Sequence, residues 1–259
     1  MGGKDTSGGR TECAECQRKA GEEERRKLLL AQLPEAQENQ RDKWFEECNI
    51  PALFVDKTFA NFEKKLQPKA YDIMRKYDGE KSIVLLSPDL YGVGKTHLIA
   101  ALVTDFIEKA ETAYFVADGC FLRKRRCPIY FIAENSLLSR IRQTYNRREE
   151  DAETEEDVFS QLGNYSHLLI DDVGKVRPRD YSFLQGVYFR IIDSRYTNEL
   201  PIILTTNLGY AELENHIGGA SADRLREMAG DNFVLMKGVS YRIKKTPAQA
   251  EVKDGKLFP

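Results

Sequence analysis

The pentapeptide Gly92-Val93-Gly94-Lys95-Thr96 constrains this chain more than any other feature, because of what flanks it. Before it, Lys81–Ser87 (KSIVLLS) is a short apolar run bounded by a turn containing proline, the pattern of a buried parallel strand. Behind it, Leu98, Leu102 and Phe106, flanked by Ile99 and Val103, recur at helical spacing. A glycine turn between strand and helix is a phosphate cradle. Glycines let backbone N–H groups close around the anion without Cβ clashes, and the helix points its positive end at the same place. Lys95 would reach the β- and γ-phosphates of a nucleotide, and the Thr96 hydroxyl would ligate Mg²⁺; Val93 and His97 complete the nucleotide-binding stretch. Gly-x-Gly-Lys-Ser/Thr arises by chance in about one chain in a hundred of this length. The full pattern also wants glycine at position 89, where this chain has Asp89. An acidic side chain at the mouth of the loop either weakens ATP binding or points outward.

Further strands follow at intervals. Pro128–Ala133 (PIYFIA), His167–Asp171 (HLLID), Pro201–Thr205 (PIILT) and Asn232–Met236 (NFVLM) are short apolar runs, with helical patterns between them. Leu137, Leu138 and Ile141 mark one helix, and Phe183, Leu184, Val187, Tyr188, Ile191 and Ile192 mark a face of another. The alternation predicts an α/β fold, a parallel five-stranded sheet with helices on both faces. The third strand ends in Asp171 and Asp172. Asp171 would hold Mg²⁺, and Asp172 would orient an attacking water, one methylene shorter than the usual glutamate. One strand–helix unit stands between the loop and these carboxylates. Asn207, just past the fourth strand, is placed to hydrogen-bond a γ-phosphate or the lytic water. Arg224 is a candidate arginine finger for a neighbouring subunit's ATP, with Arg226 as fallback, and Arg242 is a candidate second cationic sensor.

The chain has 259 residues and a net charge of −2, so nucleic-acid contact must come from local basic patches. No run of 18 apolar residues appears, which excludes a membrane-spanning helix, and the polar, glycine-rich start has no apolar stretch behind it. A cytoplasmic protein is expected. Residues 1–49 read as an N-terminal arm, disordered over 1–16 and then helical with a break at Pro34; residues 50–245 form the ATPase domain, and 246–259 a tail. The arm's apolar patches, Leu28, Leu29, Leu30 and Leu33 in one and Trp44 and Phe45 in the other, suit partner binding or packing on the chain itself. Residues 149–157 are almost all acidic and read as a solvated loop. Cys13 and Cys16 make half a zinc site; Cys120 and Cys127 could join them, but the spacing does not demand it. Arg123, Lys124, Arg125 and Arg126, between the latter two cysteines, suggest a basic hairpin.

The motifs together identify a resemblance. IPALFVDKTFANFE, GVGKTHLIAAL, LLIDDVG, DSRYTNELPIILTTNL, ADRLREM and GVSYR, in that order over roughly residues 50–245, resemble the DnaC/DnaI replicative helicase loaders, AAA+ ATPases related to the IstB-type transposon helpers. The resemblance implies ATP and Mg²⁺ as cofactors, slow ATP hydrolysis stimulated by partner or DNA, and self-assembly into a nucleotide-dependent oligomer. It implies binding to single-stranded DNA and, through the N-terminal region, to a hexameric replicative helicase. It puts Phe59 and Phe62 near the adenine, and DNA contacts on a helix after the second strand, where Arg140, Arg142, Arg147 and Arg148 lie; Lys175, Arg177 and Arg179 follow the Asp171–Asp172 strand. The chain departs from the pattern at Asp89, in its short arm, in the inserted ADGCFLRKRRCP, and in having too little after Arg242 for a helical lid. A transposase regulator and a nucleotide-gated binding module with negligible hydrolysis are the alternative readings.

Overall fold

The computed structural model describes residues 13–117, 120–145, 152–178, 181–238 and 240–241. Residues 1–12, Arg147, Arg148, Arg179, Arg242 and the tail lie outside them. In chain order the elements are α1 (Ala14–Glu47), α2 (Pro68–Arg75), β1 (Ile83–Leu86), α3 (Lys95–Lys109), β2 (Ala113–Val116), β3 (Phe121–Lys124), β4 (Ile129–Ala133), α4 (Glu134–Thr144), α5 (Glu155–Asn164), β5 (His167–Val173), α6 (Tyr181–Thr197), β6 (Ile202–Thr206), α7 (Tyr210–Ile217), α8 (Gly219–Ala229) and β7 (Phe233–Leu235). They divide into two compact units, residues 1–44 with 110–126, and residues 45–109 with 127–259.

In the larger unit, β1, β4, β5, β6 and β7 form one parallel sheet in the order β4-β5-β6-β1-β7. These are the five strands expected from the apolar runs. Side chains alternate across a strand, so each face collects its own core. Val84, Leu86, Leu168, Ile170, Ile202 and Leu204 join the apolar faces of α4 to α8 in one buried cluster. Ile83, Leu85, Leu169 and Ile203 are equally buried on the other side, where α3 contacts β5 and β6. Helices therefore cover both faces.

Two expectations are corrected here. The acidic stretch is not all loop. Thr154 accepts from the Asp157 N–H at 3.0 Å while the Asp157 carboxylate accepts from the Thr154 N–H at 2.8 Å, a capping box that starts α5. Carboxylates in a first helical turn face the positive end of the helix dipole, so acidity there favours helix.

The second correction lies in the smaller unit. Helix α1 begins at Ala14, two residues before the expected end of disorder, and runs through Pro34 without a break. The proline forfeits one backbone hydrogen bond, but glutamates, lysines, arginines and leucines of high helix propensity surround it. Downstream the helix is held by its own unit. Gln37 Nε2 donates to the Ala113 carbonyl at 2.9 Å, and Gln40 Nε2 and Trp44 Nε1 donate to the Arg125 carbonyl at 2.9 and 3.1 Å. Those carbonyls belong to the hairpin segment in which β2 and β3 pair antiparallel. The basic segment thus supplies one strand of the hairpin, and Ala113–Val116 supplies the other.

Candidate functional site

Parallel strands put their carboxyl ends on one edge, and in open α/β sheets ligands gather there. The site begins with that geometry. β6 lies between β1 and β5, so the turns after these three strands are neighbours. The turn after β1 carries the glycine loop, β5 ends in Asp171 and Asp172, and β6 leads into Asn207.

The loop is shaped for close approach. Gly92 and Gly94 have φ of 72° and 98°, left-handed values open to glycine. A Cβ on Gly94 would lie 2.7 Å from the Phe62 ring. Asp89 also takes a left-handed φ, 54°. That is the physical content of the glycine missing from the motif: the position needs positive φ, and aspartate is among the few L residues that tolerate it. Its side chain is exposed, and its N–H donates to the Asn207 carbonyl at 3.2 Å, so the turn keeps its shape.

Lys95, at the start of α3, is only 6% exposed. Its Nζ donates to the Ser87 hydroxyl and, at 2.5 Å, to Asn207 Oδ1. Thr96 Oγ1 donates to Asp171 Oδ2 at 2.9 Å, and Thr205 Oγ1 donates to Asp171 Oδ1. Burial pushes the Asp171 carboxyl above its ordinary range, while the Thr205 and Thr96 hydroxyls pull it back down. Thr205 Oγ1 also accepts from the Asp172 N–H at 3.0 Å. The β5–β6 register shifts between Ile170 and Val173, and Asp172 sits there with φ 58°, so the strand runs on past both carboxylates through a bulge. The Asp172 carboxylate meets Lys175 Nζ at 2.6 Å.

The structure thus brings together Lys95, Thr96, Asp171, Asp172 and Asn207. Sequence reasoning missed Ser87 and Thr205, the hydroxyls between them; the paired threonines of PIILTTN were the available signal. It also missed Glu134, fully buried at the start of α4. Glu134 Oε2 accepts from the N–H groups of Gly174 and Val176 at 3.0 and 3.2 Å, and Oε1 accepts from Tyr188 Oη at 2.7 Å and pairs with His216 Nε2 at 2.6 Å. This carboxylate ties the segment after Asp172 to α6 and α7. Nothing in the sequence marks it.

The remaining expected residues lie elsewhere. His97 turns its Nε2 to the Thr58 carbonyl at 3.0 Å and stands edge-on to Phe62. Phe62 touches the loop at Gly94 and packs near Tyr241, whose N–H donates to the Gly92 carbonyl at 2.8 Å. Phe59 is buried against Tyr71 and Arg75. Arg224 is seated on α6, pairing with Asp193 at 3.0 Å over the rings of Phe189 and Tyr196. Arg226 lies over Tyr210. Arg140 is drawn into an ion pair with Glu153, whereas Arg142 is exposed over Phe183. Cys13 and Cys16 bring their sulfurs within 3.1 Å, and no group of three or more metal-ligating side chains occurs among the described residues.

Chemically, the cluster offers a hydroxyl and a carboxylate oxygen side by side, the donor set of a hard divalent cation. Beside them stand a buried ammonium and a left-handed glycine loop at a helix start, suited to a phosphate chain.

No family model matches the chain. A protein of insertion sequence IS232 from Bacillus thuringiensis subsp. berliner, described as ATP-binding, is 29% identical over 181 residues, which is 66% of this chain and 59% of the relative. The match thus spans less than two thirds of that relative's length. A protein of insertion sequence IS5376 from Geobacillus stearothermophilus, also described as ATP-binding, is 26% identical over 239 residues, 87% of this chain and 82% of the relative. Among solved structures, the DnaC helicase loader aligns over 72% of this chain and 100% of its own with a TM-score of 0.54 and 19% identity. DnaA from Aquifex aeolicus bound to AMPPCP aligns over 73% of this chain and 51% of its own with a TM-score of 0.53 and 16% identity. The fold is that of a P-loop domain of AAA+ type. No helix among the described residues is long and apolar enough to cross a membrane.

Proposed function

We propose that the chain is a Mg·ATP-dependent switch acting on DNA, and that its task is to load a hexameric replicative helicase onto single-stranded DNA. One observation carries the ATPase half: three adjacent strand ends converge Lys95, Asn207, Thr96 and Asp171 through direct hydrogen bonds. When bound, magnesium ATP supplies a phosphoryl group poised for transfer to water. The loop N–H groups and Lys95 bind and orient the phosphates. Thr96 and Asp171, whose oxygens lie side by side, would hold the magnesium ion. Asp172 would orient the water once its carboxylate leaves the ion pair with Lys175. Asn207 hydrogen-bonds on the far side, relaying the phosphate state from β1 to β6. A short general base and a polar site that must rearrange favour slow turnover, completed by partner or DNA.

The loader reading is supported by the motif order over residues 50–245 and by the DnaC likeness in fold. Residues 1–49 then serve as the arm that grips the helicase, 50–245 as the ATPase domain, and self-assembly on ATP completes the machine. Of the two described arginines on α4, the exposed Arg142 is the proposed DNA contact, since Arg140 is paired with Glu153. A second reading, regulation of a transposase, is favoured by the two insertion-sequence relatives. Co-elution of the chain with its host's hexameric helicase, with ATP and with the Lys95→Ala variant alongside, tests the choice. A nucleotide-dependent complex lost on deleting residues 1–49 is the expected result. No complex under any nucleotide condition would transfer the assignment to transposition.

A further inference from the structure

The hairpin of the smaller unit has no part in that scheme. We infer that the face of this hairpin carrying Tyr114 and Phe121 is a binding site for single-stranded nucleic acid, separate from the α4 arginines. Tyr114 pairs with Arg123 and Val116 with Phe121, whereas Ala113 pairs with Lys124 and Phe115 with Leu122. Cross-strand partners share a face and successive residues alternate. One face therefore presents Tyr114, Val116, Phe121 and Arg123; the other presents Ala113, Phe115, Leu122 and Lys124. The first face is the more open of the two. Phe121 is 44% exposed and Arg123 is exposed, with Tyr114 and Val116 half-buried beside them; on the other face Ala113 is fully buried, Phe115 and Leu122 are half-buried, and only Lys124 is exposed.

A lone exposed phenylalanine would need no explanation. Here it stands two positions from Arg123 on the same strand face and diagonally across from Tyr114. The Arg125 guanidinium lies 4.7 Å over the Tyr114 ring and meets Glu111 at 2.7 Å. Arg123 on this face, and Arg126 just beyond the strand, have no carboxylate partner within salt-bridge distance among the described residues. Aromatic faces interleaved with unneutralised cations on a small sheet are what unpaired bases and their phosphates require: rings for stacking, cations for the backbone. A duplex hides its base faces, so the exposed Phe121 ring selects a single strand. The platform is also held in place. A two-stranded hairpin is marginal alone, but Gln37, Gln40 and Trp44 of α1 anchor its backbone carbonyls, and Thr112 Oγ1 donates to the Gln37 carbonyl at 2.6 Å. The site adds to the loader reading without depending on it.

The test is an anisotropy titration of the full chain with labelled oligothymidylate and oligouridylate, comparing Phe121→Ala, Arg123→Gln and Lys124→Gln. Phe121→Ala is expected to weaken binding about tenfold or more, the effect of losing one stacked base, and Phe121→Trp to retain it. Arg123→Gln should shallow the log–log salt dependence by about 0.7, one phosphate contact on a single strand. Lys124→Gln, on the opposite face, should stay within about twofold of the parent. The ratio of the two oligomers reports which strand is preferred, and binding of either that is lost in Phe121→Ala supports the site. A parent chain that binds neither, Phe121→Ala and Arg123→Gln variants that bind as the parent does, or a Lys124→Gln effect equal to that of Arg123→Gln, would each overturn it. Helicase co-elution, measured on the same variants, fails or survives independently and so distinguishes this proposal from the loader reading.

Discussion

Strands β5 and β6 end very differently at their two tips. At the carboxyl tip, Asp171, Thr205, Asn207, Thr96 and Lys95 are joined mostly side chain to side chain. At the amino tip a second buried cation, Arg195, is joined to backbone. Its guanidinium donates to the carbonyls of Leu162 and Tyr165 at 3.1 and 3.0 Å, and to those of Ser166 and Pro201, each at 2.8 Å. Burial draws its pKa down to about 10, still charged near neutrality. Side-chain partners can be exchanged for a ligand by rotamer changes; backbone carbonyls in α5 and in the segments that lead into β5 and β6 cannot. The same two strands are thus fastened at one end and rearrangeable at the other, which suits the proposed switch.

The largest expected effect falls on the fastened end. Arg195→Leu leaves several carbonyls without a donor in a dry site, at ~1–3 kcal/mol each, so denaturant titration should show a loss of at least ~4 kcal/mol. A loss below ~1 kcal/mol would erase the contrast between the tips. Lys95→Ala should do the opposite, cutting phosphate release about 10²–10³-fold while shifting the unfolding midpoint little.

Gly174 sharpens the boundary between the two ends. Its φ is 91°, and a Cβ there would lie 2.4 Å from Leu208 Cδ1, where the turns after β5 and β6 meet. Gly174→Ala should cost ~1–3 kcal/mol and also lower turnover, because Glu134 holds the same segment. A stability loss with turnover intact would uncouple that segment from the site.

The smallest effect is a pH dependence at the fastened end. His167, buried at the start of β5 beside Phe106 and Tyr77, has its pKa lowered, with burial the largest cause. The unfolded chain therefore binds this proton more readily than the folded one, so stability is full above the ordinary histidine pKa and falls as pH drops below it. His167→Leu should flatten that slope between about pH 7 and 5, as read from denaturation midpoints. An unchanged slope would assign the acid sensitivity to other groups.

Much of this was legible in the sequence, for identifiable reasons. Each sheet strand is a short apolar run because both its faces are covered, so β1, β4, β5, β6 and β7 announce themselves. The glycine loop, the aspartates and Asn207 are legible because phosphate chemistry admits few residue types. What escaped depends on distant partners. Glu134 looks like any surface helix residue until α6, α7 and the turn after β5 close over it. Arg195 looks like a surface charge in a polar turn until four carbonyls converge on it. Helix α5 was hidden because helix-start carboxylates and loop carboxylates are the same residues. Pro34 misled because local propensity around it and the hairpin bonds beyond it outweigh one lost hydrogen bond.

The central claim is that the rearrangeable tip is a nucleotide switch, and nucleotide-linked stability tests it most directly. Thermal unfolding of the full chain would be followed with and without Mg·ATP, for the parent and for Lys95→Ala. At a ligand concentration near 100 times Kd, binding stabilises by ~2.7 kcal/mol, or roughly 5–10 °C for a domain of this size. The account predicts that rise in the parent, its reduction on chelating magnesium, and its absence in Lys95→Ala. A parent whose midpoint ignores Mg·ATP at every concentration, or a Lys95→Ala variant that gains as much as the parent, would contradict it.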